Sequence, residues 1–152
     1  YPLLQQGERF PFIAPQAKGF QPGNLAPETL FAAKMEGVAY VERYAYELIG
    51  RLSGEQVDHV FTAGGASNSD VWLRIRSAVM NKPVYKMKYV SGAVGAAIVA
   101  ASQVYFDSLS NATKALVQME KLIMPEKELS EKYEDLYHTF IDELKAREYI
   151  KS

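Results

Sequence analysis

The stretch VFTAGGASNSDVW, Val60 to Trp72, constrains this chain more than any other. A β-branched and aromatic run ends abruptly in two glycines. Small hydroxyl and amide residues follow, then an aspartate and a tryptophan at helical spacing. VDHVFTA (57–63) is too short for a helix and reads as a buried strand. Ser67 to Asp70 has the capping-box pattern, a hydroxyl with a carboxylate three residues on. A helix over about 70–80 then puts Trp72, Ile75 and Val79 on one face. The unit is therefore strand, glycine turn, helix. Backbone amides in such a turn can point at an anion, and the helix N-terminus adds partial positive charge. Glycine pairs also serve ordinary tight turns. No Lys-Ser/Thr follows the glycines, so the P-loop pattern is missing, and so is the third glycine of the dinucleotide fingerprint.

The rest of the chain supplies a setting. Pro11, Pro15 and Pro22 break any helix before residue 27, and the segment reads as a loop pinned by aromatics. Pro27 and Glu28 suit a first helical turn. Leu30, Val38, Val41, Ala45, Leu48, Ile49 and Leu52 recur at helical spacing, and Gly54 is a terminator, giving a helix over 27–52. PVYKMKYV (83–90) alternates, with Val84, Lys86, Lys88 and Val90 on one side of a strand. SGAVGAAIVAAS (91–102) predicts a helix lying very close to another backbone. A helix from Asn111 to about 122, stopped by Pro125, comes next. The last helix, about 126–148, carries Leu129, Tyr133, Leu136, Tyr137, Phe140, Ile141 and Leu144 on one stripe. This order predicts an α/β domain with a parallel or mixed sheet.

Composition excludes some functions. Lys plus Arg total 17 against 18 for Asp plus Glu, so nothing in the charge balance draws the chain to nucleic acid or to an acidic membrane. Lys82, Lys86 and Lys88 read as a solvated strand face. Cysteine is absent, which removes disulfides and thiolate chemistry and fits a reducing compartment. AVGAAIVAA (93–101) has about half the length of a spanning helix. His59 and His138 are the only histidines and neither has metal-ligand spacing around it. No residue has the setting of a general base. Asp70 is accounted for as a first-turn carboxylate. The chain begins without methionine and in loop-like sequence, and the expectation is a piece of something longer.

GERFPF (7–12), the Ala14 to Phe20 segment, EGVAY (36–40), AGGASNS (63–69) and GAVGAA (92–97) together resemble the C-terminal domain of FGGY-type carbohydrate kinases, which include xylulose, gluconate, fuculose and glycerol kinases. The resemblance covers nearly the whole chain, 1–152. It implies an actin-like ATPase, ribonuclease H-like, α/β domain, the C-terminal half of a two-domain sugar kinase. The whole protein would then move the γ-phosphoryl of ATP to a small sugar, ketose, polyol or sugar acid, with Mg2+, in the cytoplasm. Gly64, Gly65, Ala66 and Ser69 match the adenosine side of the interdomain cleft. Gly95 and Ala96 match a small-residue segment behind that pocket.

The resemblance places no catalytic residue and no metal ligand in this chain. Both belong, with most sugar contacts, to an N-terminal domain or the segment just after it, outside this chain, and the fragment alone is expected to be inactive. Its partners would be that domain and the sugar, with a homodimer also admitted and neither nucleic acid nor membrane expected. The sequence departs from the family where Arg74 stands for a common glutamine, where Ser77-Ala78 stand for Ala-Asp, and in GFQPGN. Two other readings share the glycine turn. One is an actin-like nucleotide module that senses or regulates without phosphorylating sugar, and the other is a structural domain with an ordinary turn.

Overall fold

Pro27 at the start and Gly54 at the end delimit the first helix. In the computed structural model, which describes residues 1–89 and 91–151, α1 runs Pro27–Ser53. Gly54 closes it in the left-handed conformation, φ 75°, with its amide on the Gly50 carbonyl. Strand β1 (Val60–Thr62), helix α2 (Asp70–Met80) and strand β2 (Val84–Met87) follow. Next come α3 (Gly92–Val104), α4 (Leu109–Leu116), strand β3 (Met119–Ile123) and α5 (Lys127–Ala146). Val90, placed on the predicted second strand, lies outside the described residues.

The sheet is mixed, in the order β1-β2-β3, with β1 parallel to β2 and β3 antiparallel to it. Val60, Val84 and Ile123 share one register row and point inward. Phe61, Tyr85 and Leu122 share the next row on the opposite face. Phe61 is 61% exposed there, so β1, read from its apolar run as a buried strand, is buried on one face and not on both. The short apolar run could not distinguish the two cases.

β3 corrects the sequence reading, which carried a helix through residue 122. That helix ends at Leu116. Leu, Met, Glu and Lys favour helix locally. The row Val84–Ile123 on the core side and the Lys86–Glu120 ion pair at 2.8 Å tie the segment into the sheet instead. Pairing overrides propensity in such cases.

Helix α2 lies at the centre. Leu73 and Met80 pack on Val60, Val84 and Ile123 of the sheet. Ala78 and Val79 pack on Ala39 and Tyr40 of α1 and on Tyr133, Tyr137, Phe140 and Leu144 of α5. Trp72 and Ile75 join this second cluster, as their spacing with Val79 predicts. The aromatic loop 1–26 is pinned to the same cluster: the Tyr1 and Phe20 rings lie 6.0 and 6.2 Å from Phe140. Gly19 is needed there, because a Cβ would stand 2.3 Å from the Leu3 carbonyl oxygen.

Arg43 fastens the helices polarly. It donates to both Glu134 carboxylate oxygens at 2.7 and 2.8 Å, to Glu47 at 2.9 Å and to the Val79 carbonyl at 3.1 Å. Its guanidinium carbon sits 3.9 Å from the Tyr137 ring centre. These bonds hold the Glu134 carboxyl below its ordinary range.

The small-residue helix α3 departs from expectation. It packs on α4, and Ile98 and Ser102 of α3 and Ala112 of α4 are buried. A Cβ built at Gly92 or Gly95 meets no atom within 4 Å, so among the described residues no backbone lies against that face.

Two outcomes test this packing. Leu144→Ala, at a side chain with no exposed surface, should cost about 2–5 kcal/mol in urea unfolding. Tyr40→Phe should do the opposite of a usual core substitution. The Tyr40 hydroxyl is buried and finds no partner among the described residues, so its removal should leave stability unchanged or raise it by up to ~1 kcal/mol.

Candidate nucleotide-binding turn

β1 ends at Thr62 on the C-terminal side of the sheet, and the chain turns at Gly64 into a 3-10 turn, Gly65–Asn68, before α2. Gly64 has φ 92° and ψ 174°, a conformation that only glycine adopts without strain. Gly65 needs no such freedom, for its φ lies outside the left-handed range, and a Cβ there would meet nothing within 4 Å. The two glycines therefore have different reasons. Gly64 makes the turn, while Gly65 leaves a bare patch of main chain that none of the described residues fills.

The cap differs from the sequence reading. Ser69, not Ser67, is the N-cap of α2, and its Oγ accepts the Trp72 amide at 3.3 Å. Ser67 is buried and folds back, donating its Oγ hydrogen to the Gly64 carbonyl at 2.6 Å. The carboxylate three residues after Ser67, on Asp70, is thereby left to solvent and to Lys121, 2.8 Å away. That lysine holds the Asp70 carboxyl below its usual range. Serine is a favoured N-cap at 67 and at 69 alike, and only the 3-10 turn decides between them.

Gly64, Gly65, Ala66 and Ser69 thus lie on one continuous, exposed loop at the N-terminus of α2. The Gly65 and Ala66 amides head the 3-10 turn and have no intrahelical acceptor. Arg74 points away into an exposed ion pair with Glu126, 2.7 Å. Gly95 and Ala96 lie on the exposed face of α3.

Sequence reasoning missed one residue beside the turn. Arg76, 8% exposed, donates Nη1 to Thr62 Oγ1 at 2.7 Å, just before the glycines. Its Nε and Nη2 reach the two Glu42 oxygens at 2.7 and 2.5 Å. Its spacing, three residues after Leu73 and four before Met80, puts a charged residue on their face of α2, and that was the signal available in the sequence. His59 stands apart, its ring 5.1 Å from Phe61 and 5.4 Å from Tyr85 on the open sheet face. His138 lies on α5, 3.2 Å from Glu134. No helix among the described residues is long and apolar enough to cross a membrane.

Known proteins resemble this chain in sequence and in fold. A xylulose kinase of Staphylococcus epidermidis is 28% identical over 139 residues, covering 88% of this chain and 28% of that protein. The crystal structure of xylulose kinase from Rhodospirillum rubrum superposes with a TM-score of 0.63 at 25% identity, over 85% of this chain and 26% of that one. A glycerol kinase of Plasmodium falciparum, solved with ADP, superposes with a TM-score of 0.66 at 18% identity, over 88% of this chain and 27% of that one. The chain thus spans little more than a quarter of the length of these proteins. The fold is the actin-like α/β fold of the FGGY sugar kinases. The model of the C-terminal domain of the FGGY family of carbohydrate kinases matches residues 1–104, and the chain belongs to that family.

Proposed function

We propose that the protein to which this chain belongs phosphorylates a small sugar, ketose, polyol or sugar acid with MgATP in the cytoplasm, and that this chain supplies the adenosine side of the cleft. Family membership supports carbohydrate phosphorylation in general. The observation that carries the finer reading is Gly65. A glycine that no fold contact and no φ value requires is explained by something outside the chain that lies against it. A flat base or ribose meets that need, since it can approach bare main chain. The open Cβ positions at Gly64 and Gly65 fit such a ligand. Ala66 adds little bulk, and the Ser69 hydroxyl, accepting from Trp72, keeps its own hydrogen to donate.

Phosphoryl transfer asks a protein mainly for positioning and for stabilisation of charge. One wall of the cleft can be built of main chain and small side chains. Mg2+ would neutralise the phosphates. Among the described residues no group of three or more His, Cys, Asp or Glu side chains could hold it. The family resemblance assigns its ligands, the catalytic base and most sugar contacts to an N-terminal domain or the segment just after it, and that domain would also be a partner for the bare face of α3 at Gly92 and Gly95. A homodimer of the whole kinase is compatible with this division of labour.

Gly65→Trp in the full-length protein tests the reading. The side chain has room, so the melting temperature should stay within a few degrees, while ADP affinity by calorimetry should fall at least ~10-fold. Unchanged ADP binding would make the turn purely structural. Sugar-dependent ADP release should be measurable for the full-length protein and absent for residues 1–152 alone. Turnover by the short chain would refute the assignment of the base to the other domain.

A further inference from the structure

The guanidinium of Arg76 joins three elements at the foot of the glycine turn. It takes both Glu42 oxygens from α1 through Nε and Nη2, and it reaches the hydroxyl of Thr62, the last residue of β1, through Nη1. Arg76 itself belongs to α2, which begins directly after the turn. One group therefore ties the strand that enters the turn to the helix that leaves it, with α1 as the anchor. Its carbon also lies 5.7 Å from the ring centre of Trp72, whose amide is capped by Ser69. The cluster reaches the turn from both ends.

Stability alone does not account for this choice of residues. The Arg76 and Glu42 side chains are only 10% and 21% exposed. Desolvating such a pair offsets much of its attraction, and packed apolar residues of like volume often serve stability as well. What a forked, charge-assisted set adds is direction, because each of its bonds fixes an angle as well as a distance. The direction here is that of the Thr62 hydroxyl, with Ala63 alone between Thr62 and Gly64. Among the described residues, no atom beyond its chain neighbours comes within 4 Å of a Cβ built at Gly65, so no side-chain packing there holds it in place. The turn must be held from its ends.

We propose that Arg76, with Glu42 and Thr62, is a positioning residue for the nucleotide turn, holding the Gly64 and Gly65 main chain where the adenosine half of ATP meets it. The inference rests on the nucleotide reading of that turn. Arg76 touches no ligand in this account and acts through Thr62.

Thr62→Val and Thr62→Ser, made in the full-length kinase, decide the matter. Valine keeps the shape and β-branching but leaves Nη1 without its acceptor, whereas serine keeps the hydroxyl. All proteins are assayed well below their melting temperatures. Thr62→Val should raise the ATP KM and weaken ADP binding roughly three- to tenfold, with a smaller change in kcat and none in the sugar KM. Thr62→Ser should bring ADP affinity back toward the parent value. Glu42→Gln, which removes the charge holding the fork, should act in the same direction as Thr62→Val. A lowered melting temperature with unchanged ADP affinity in Thr62→Val would make the cluster merely structural and overturn the inference, leaving the nucleotide reading intact. Failure of the parent protein to bind ADP would overturn both.

Discussion

Helix α2 is apolar on two sides, and both sides are covered. Leu73 and Met80 close the sheet, while Ala78 and Val79 close the layer of α1 and α5. The glycine turn inherits its position from this double burial. β1 is held parallel to β2 on one side of α2, and the helix that receives the turn cannot shift without opening one of the two clusters. Close-packed interiors resist such shifts, because even a small gap forfeits dispersion contacts along the whole surface. The glycine loop is therefore short, exposed and still fixed.

The polar groups divide into those that fasten the frame and those that face outward. Arg43 joins α1, α2 and α5 through Glu134, Glu47 and the Val79 carbonyl, and Arg76 joins α1, β1 and α2. Both guanidiniums are used as forks, a geometry that lysine could not reproduce. By contrast, the pairs Asp70–Lys121 and Arg74–Glu126 lie in solvent, where such contacts contribute little to stability. The surfaces left apolar follow a pattern too. The outer sheet row of Phe61, Tyr85 and Leu122 and the bare face of α3 belong to a chain that spans about a quarter of its relatives' length. Faces of this kind suit burial against further protein.

Much of the fold was legible because it rests on local signals. Pro27 and Gly54 bound α1 within one residue, and the apolar stripe on α5 selects Tyr133, Tyr137, Phe140 and Leu144 for the core. Ambiguity entered where two assignments satisfied the same local rule. Ser67 and Ser69 can each cap a helix, and the backbone path from Gly64 assigns the cap to Ser69. Residues 119–123 have helical propensity, and a free edge on β2 makes them a strand.

The element order through α4, the glycine turn and the family resemblance were all legible in the sequence, because periodicity, turn chemistry and spacing are properties of neighbouring residues. Tertiary structure alone decided the rest. Glu42, Thr62 and Arg76 stand 20 and 14 residues apart along the chain, and no local rule brings them together. The same holds for Gly65, whose open Cβ position among the described residues is a fact about space and not about sequence. A contact between distant residues, or its absence, exists only once the chain has packed.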